Sequence, residues 1–139
     1  MDVERIDHVG IAVEDAAPAR EVLEGVFGCE EPTEETVEDQ GVRTLIYRLG
    51  DAKVELLEPT GPESPIAAHL DKRGEGLHHI ALEVDDVEGA IEEVQASELA
   101  MIDTEPREGV EDSEIAFVHP KRTFGTLLEL VAFSGGRTG

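Results

Sequence analysis

Cysteine, tryptophan and lysine are almost missing from this 139-residue sequence, and each shortage excludes something. The single Cys29 rules out an internal disulfide and fits a reducing cytoplasm. No apolar run approaches the roughly 18 residues of a membrane span, and no charged-then-apolar leader opens the chain, so neither a span nor a signal peptide is expected. Aromatic residues make up only 4% of the chain, which leaves Val, Leu, Ile and Ala to build the core. Three lysines (Lys53, Lys72 and Lys121) contribute to only 11 basic residues, against 33 acidic ones, for a formal net charge of -22. A surface so charged repels nucleic acid and anionic membranes. The acidic residues are spread along the chain rather than gathered in a tail, which speaks against disorder. An acidic, halophilic-type surface suits a salt-rich cytoplasm, where a Debye length of about 3 Å at 1 M salt screens the self-repulsion; an ordinary acidic protein is the alternative.

What the sequence does contain is a repeat. "IDHVGIAVEDA" at 6–16 matches "LHHIALEVDDV" at 77–87 without a gap, so His8 falls on His79, Val13 on Val84 and Asp15 on Asp86, at an offset of 71. Each phrase runs into a helical stretch. The first is "APAREVLEGVFG", with Val22, Leu23, Val26 and Phe27 on one face; the second is "VEGAIEEVQASEL", with Val87, Ile91 and Val94 at helical spacing. Asp15, and Asp85 or Asp86, suit the N-cap positions. Strands close each copy: "RTLIYRL" and "KVELLEP" in the first, "SEIAFVHP" and "TLLELVAF" in the second. The expected organisation is a single domain, 1–139, made of two βαβββ modules. These span about 4–60 and 75–133, with a Pro/Gly/Ser-containing linker at about 61–74 and a frayed tail at 134–139.

The repeat also sets the register. Side chains alternate across a strand, so Ile6, His8, Gly10 and Ala12 share one face and Val9, Ile11 and Val13 the other. Leu77, His79 and Ala81 likewise oppose His78, Ile80, Leu82 and Val84. The branched face should pack under the helices. The opposite face carries a histidine beside small residues, Gly10 or Ala81, which leave room for something other than protein. The strands "VELL" and "LELV" each set one carboxylate, Glu55 and Glu129, inside an apolar run, 74 residues apart. A buried carboxylate costs several kcal/mol unless it is paired or bound to a metal. A lone strand histidine or glutamate is usually an edge residue. Two histidines and two carboxylates at matching positions instead suggest one site on a pseudo-twofold axis. Such a mixed N/O set suits one divalent transition metal, Mn²⁺, Fe²⁺, Co²⁺, Ni²⁺ or Zn²⁺, better than Ca²⁺ or Mg²⁺. His69 has no repeat partner and reads as structural or exposed on a short helix. His119, in "FVHPKR", follows a strand at a turn or at the mouth of the site.

The blocks "IDHVGIAVED", "GVR", "ELLEPTGPESPIAAHL", "GEGLHHIALEVDDVEGAI", "FVHPK" and "LLEL" resemble the vicinal oxygen chelate superfamily and, within it, the methylmalonyl-CoA epimerases. The resemblance covers nearly the whole chain. "HVGIAV" alone would indicate only the superfamily, whereas the order "ELLEP", "SPIA", "GEGLHHIA" is specific to the epimerases. It implies an α+β fold, tandem βαβββ modules forming a cup-shaped mixed sheet around a metal site, with His8, Glu55, His79 and Glu129 as ligands. It implies an isomerase that interconverts (2R)- and (2S)-methylmalonyl-CoA through a metal-stabilised enolate, and a homodimer. Glu129 is the candidate for one catalytic base. Lys72, Arg73, Lys121 and Arg122 are the clusters available to receive CoA phosphates. A glyoxalase I-like lyase and a metal-free drug-binding protein of the same fold are the alternatives. Two departures stand out. Several epimerases carry a Glu just after "GVR" where this chain has Thr44, which is no base at neutral pH. The glycine-rich loop usual before "FxHPK" is here "REGVEDSEIAFVHPK".

Overall fold

The computed structural model describes residues 1–134, and the expected tail beyond Ser134 lies outside the described residues. Contacts divide the chain into two compact units, Val9–His78 and Met1–His8 with His79–Gly139. The first eight residues therefore group with the second half of the sequence.

In the unit Val9–His78, strand order runs β2-β3-β4-β1, with β1 at Arg5–Ala12 (its first four residues grouping with the other unit), β2 at Thr33–Val37, β3 at Val42–Leu49 and β4 at Ala52–Pro59. β2 and β4 both pair antiparallel with β3. Asp15 caps the first helix, α1 (Ala16–Arg20), as expected, its carboxylate accepting a bond of 3.1 Å from the Ala17 N–H. Beyond α1 the expected helix changes character. Glu21–Val26 is a π-helical segment, in which the Phe27 N–H reaches back five residues to the Val22 carbonyl at 3.1 Å. The wider turn rotates later side chains off the face that an α-helix would bury. Leu23 packs on Val13, Ala16, Leu45, Tyr47 and Leu56. Val22, Val26 and Phe27 do not join it, and Val26 and Phe27 stand 74% and 71% exposed. Glu24 anchors the segment, accepting from Tyr47 Oη at 2.6 Å and from Arg20 Nε at 2.7 Å. The segment between the two repeats is not all loop. It holds α2 (Pro65–Arg73), started by Ser64, whose hydroxyl accepts from the Ile66 N–H at 3.0 Å.

The other unit orders its strands β5-β8-β7-β6, with β5 at Gly76–Glu83, β6 at Arg107–Glu108, β7 at Ser113–Val118 and β8 at Leu128–Phe133. Each copy thus sets its first strand beside its last. β5 and β8 pair in parallel, while β7 pairs antiparallel with both β6 and β8, so the arrangement is mixed. Here the helix, α3 (Val87–Gln95), is regular. Asp86 takes the cap position, although its side chain accepts no cap bond. Val87, Ala90, Ile91 and Val94 are buried against Val84, Ala116, Val118, Leu130 and Ala132. That helix face closes a continuous apolar cluster of its unit. A second cluster lies on the opposite strand face, where Ala81, Ile115 and Val131 pack with Phe117. Gly109 turns β6 into β7: a Cβ there would meet Ser113 Oγ at 2.6 Å, so a larger residue would force the turn apart. Among the described residues no helix is long and apolar enough to cross a membrane.

Candidate metal centre

Strand register brings three of the four expected residues together in one unit. Ala81 on β5 pairs with Glu129 on β8, and Phe117 on β7 pairs with Glu129 from the other side. Two residues before Ala81, His79 shares its strand face, so imidazole and carboxylate come to the same side. His8 belongs to the same compact unit through the Met1–His8 segment. Its Nε2 stands 3.0 Å from His79 Nε2 and 3.3 Å from Glu129 Oε2, and His79 Nε2 is 3.4 Å from Glu129 Oε1. All three residues are buried, none more than 4% exposed.

The donor set fits a divalent ion on two counts. Adjacent ligands on bonds of about 2.1 Å, set about 90–109° apart, are separated by roughly 3.0–3.4 Å, the spacing seen here. The tautomer is also set from behind. Asp7 Oδ2 lies 2.7 Å from His8 Nδ1 and is itself buried. The Nδ1–H donates to this carboxylate, which leaves the Nε2 lone pair directed at the other two residues. Sequence reasoning missed Asp7, because strand alternation assigns it to the opposite face and the second copy carries His78 in its place. The "DH" adjacency was the available signal. His79 gets a different support, the Phe117 ring, edge-on with centroids 5.6 Å apart.

Glu55 is buried at 3% exposure on β4, opposite Ile46, in the unit Val9–His78. Thr44 is buried on β3, opposite Leu57. His78 points away from the donor set, as the register predicts, and meets His69 of α2 edge-on at 4.9 Å. Burial, then the neighbouring His69, pushes its pKa down to about 4, so His78 is neutral at physiological pH. His69 is shifted down too, by burial and then by Arg73. His119 has a turn role: its Nδ1 accepts the Lys121 N–H at 3.1 Å.

Comparison with known proteins agrees with this architecture. Residues 7–117 match the family model of the glyoxalase/bleomycin resistance protein/dioxygenase superfamily. An uncharacterized Bacillus subtilis protein, YqjC, is 39% identical, over 91% of this chain and 90% of its own length. The ethylmalonyl-CoA/methylmalonyl-CoA epimerase of Cereibacter sphaeroides is 35% identical, over 91% of this chain and 96% of its own. The chain belongs to the methylmalonyl-CoA epimerase family. A solved epimerase of this family, in complex with methylmalonyl-CoA and NH4+, superposes with a TM-score of 0.93 at 35% identity, covering 99% of this chain and 100% of that one. The epimerase family fold is thus the fold expected from the repeat.

Proposed function

We propose that this protein is a metal-dependent epimerase that interconverts (2R)- and (2S)-methylmalonyl-CoA by removing and returning the proton at the α-carbon. One observation carries the reading. In a chain of this family, His8, His79 and Glu129 converge within 3.0–3.4 Å of one another in a buried place. A drug-binding relative without metal has no use for such convergence, and the epimerase relatives favour this reaction over a glyoxalase I-like lyase.

His8, His79 and Glu129 would hold one divalent transition ion, Co²⁺, Mn²⁺, Ni²⁺, Fe²⁺ or Zn²⁺. Glu55 is the fourth ligand, on the strength of its position in the repeat: it lies 47 residues after His8, as Glu129 lies 50 after His79. When bound, the ion supplies Lewis-acid stabilisation of negative charge developing on the thioester oxygen, worth several kcal/mol. Asp7 holds the His8 ring so that Nε2 keeps its lone pair inward. Inversion needs proton-transfer groups on both faces of the α-carbon. Glu129 is the candidate for one of them, although both its oxygens face imidazoles and the ligand role comes first. Thr44 supplies no base. A cytoplasmic homodimer is the expected setting, and sedimentation would check the assembly.

The test is α-proton exchange of methylmalonyl-CoA in D₂O. The metal-loaded protein should wash deuterium into the α-position, lose that ability on chelation, and regain it when Co²⁺ is restored. If none of the five ions supports exchange, the reading is wrong.

A further inference from the structure

Inversion needs a second proton-transfer group, and Thr44 cannot supply it. Strand register shows what stands beside Thr44. Where β2 pairs antiparallel with β3, Glu35 lies directly opposite Thr44. Opposed side chains point to one sheet face, with Cβ atoms about 5 Å apart. Along the next pairing, Thr44 opposes Leu57 and Ile46 opposes Glu55. Glu35, Thr44, Ile46 and Glu55 therefore share one face of the unit Val9–His78. Packing agrees. Val37, two residues after Glu35, packs on Ala12, Val42 and Leu57, whereas the opposite face sets Leu45, Tyr47 and Leu56 against Ala16 of α1. Burial along β2 alternates to match, with Glu35 and Val37 half-buried and Glu34 and Thr36 exposed.

The geometry points to Glu35 as the second catalytic acid–base group, supplied by the strand next to Thr44. The inference rests on the epimerase reading above and names a residue for its unfilled role. With one stereoisomer, the Glu35 carboxylate takes the α-proton and the C–H electron pair passes into the enolate. The group on the other face then returns a proton to the α-carbon. In the reverse direction protonated Glu35 is the donor, and both groups recover their starting state by exchange with water. Other side chains on this face do not compete. Among the strand residues described there, Glu55 is the proposed ligand, and Arg48 and Lys53, which oppose each other, are cationic side chains with donors only. The duplication marks the same station in the other unit. Phe117 opposes Glu129 as Ile46 opposes Glu55, and Arg107 opposes Ile115 as Glu35 opposes Thr44. Arg107 is held by Asp103 at 2.9 Å and lies over the Phe117 ring, which makes it a brace. The edge station thus carries a charged side chain in both copies, and only Glu35 can accept a proton.

The test follows each stereoisomer of methylmalonyl-CoA separately in D₂O, with the metal-loaded protein, and measures both α-deuterium uptake and inversion. Glu35→Gln, nearly isosteric, should lower kcat for inversion by about 100-fold or more with KM little changed. One stereoisomer should still take up deuterium without inverting, through the remaining group, and the other should take up none. Titration with Co²⁺ should give the same affinity as the wild type. Adding Thr44→Glu to Glu35→Gln returns a carboxylate to the directly opposed position and should restore inversion in part. Glu34→Gln, exposed and bonded to Arg43, should invert at the wild-type rate. Wild-type inversion in Glu35→Gln removes the role of Glu35 and leaves the epimerase reading standing. Equal loss of uptake from both stereoisomers overturns the role too, since that marks a structural effect. A wild type that takes up no deuterium with any of the five ions removes the epimerase reading, and the role of Glu35 with it.

Discussion

The two copies of the strand–helix phrase carry the same register and differ in nearly everything that supports it. His8 and His79 occupy equivalent positions, yet His8 is oriented by a buried carboxylate and His79 by an aromatic edge. The helix after His79 is regular and buries four apolar residues, whereas the segment after His8 widens into a π-helix and leaves Val26 and Phe27 in the open. Phe117 is itself held in place, its N–H bonded to Asp103 at 2.8 Å and its ring beneath the Arg107 guanidinium at 5.9 Å. Where the donor atoms must arrive is repeated; how they are braced is not.

The contrast can be broken most strongly at the helices. Ile91→Ala, in the closed core beneath α3, should cost about 2–5 kcal/mol in denaturant unfolding. Val26→Ala in the equivalent stretch of the first copy should stay within about 0.5 kcal/mol. Equal losses would mean that the exposed face of the π-helical segment is covered in solution. A middle-sized effect separates the two histidines. Asp7→Asn should weaken metal binding about 10- to 100-fold, the usual consequence of losing a carboxylate behind a ligand imidazole. Phe117→Leu, which keeps apolar bulk but removes the ring edge, should weaken it less. Titration with Co²⁺, followed by its visible absorption, measures both, and the reverse ranking would show that the ring is the more important brace.

The smallest effect lies at the π-helical segment. Burial, and then the Glu24 carboxylate, raise the Tyr47 phenol to about 12 from an ordinary value near 10. The folded state therefore retains the phenolic proton where the unfolded chain would give it up. The stabilisation is fully present below about pH 10 and is lost as pH rises towards 12. Tyr47→Phe should flatten stability over that window, and a slope identical to that of the wild type would exclude Tyr47 as its source. Glu24 works in the opposite sense. Arg20 and then Tyr47 hold its pKa low, so its contribution is present above the ordinary carboxylate range and fades as acid approaches its lowered value.

Much of the candidate site was legible because duplication turns a weak signal into a strong one. His8, His79 and Glu129 could be placed on the correct strand faces from period-two alternation, and the structure brings them within hydrogen-bonding distance of one another. Glu55 is buried on the expected strand. What escaped was whatever does not repeat. Asp7 has His78 as its counterpart, and adjacent residues on a strand are assumed to face apart. Nothing in the sequence ties Phe117 to His79, and Phe124 sits in a turn with no periodicity to mark its fully exposed ring. The first helix was misjudged because an α-helical wheel groups Val22, Val26 and Phe27 with Leu23, whereas one additional residue per turn separates them.

The alliance of Met1–His8 with His79–Gly139 has a consequence for synthesis. His8 and its carboxylate neighbour Glu129 stand about 120 positions apart in the sequence. Contacts spanning such distances carry a large loop-closure cost, and the donor cluster closes only once both ends of that stretch have been made. A fragment made of the second repeat alone would be born with one imidazole too few.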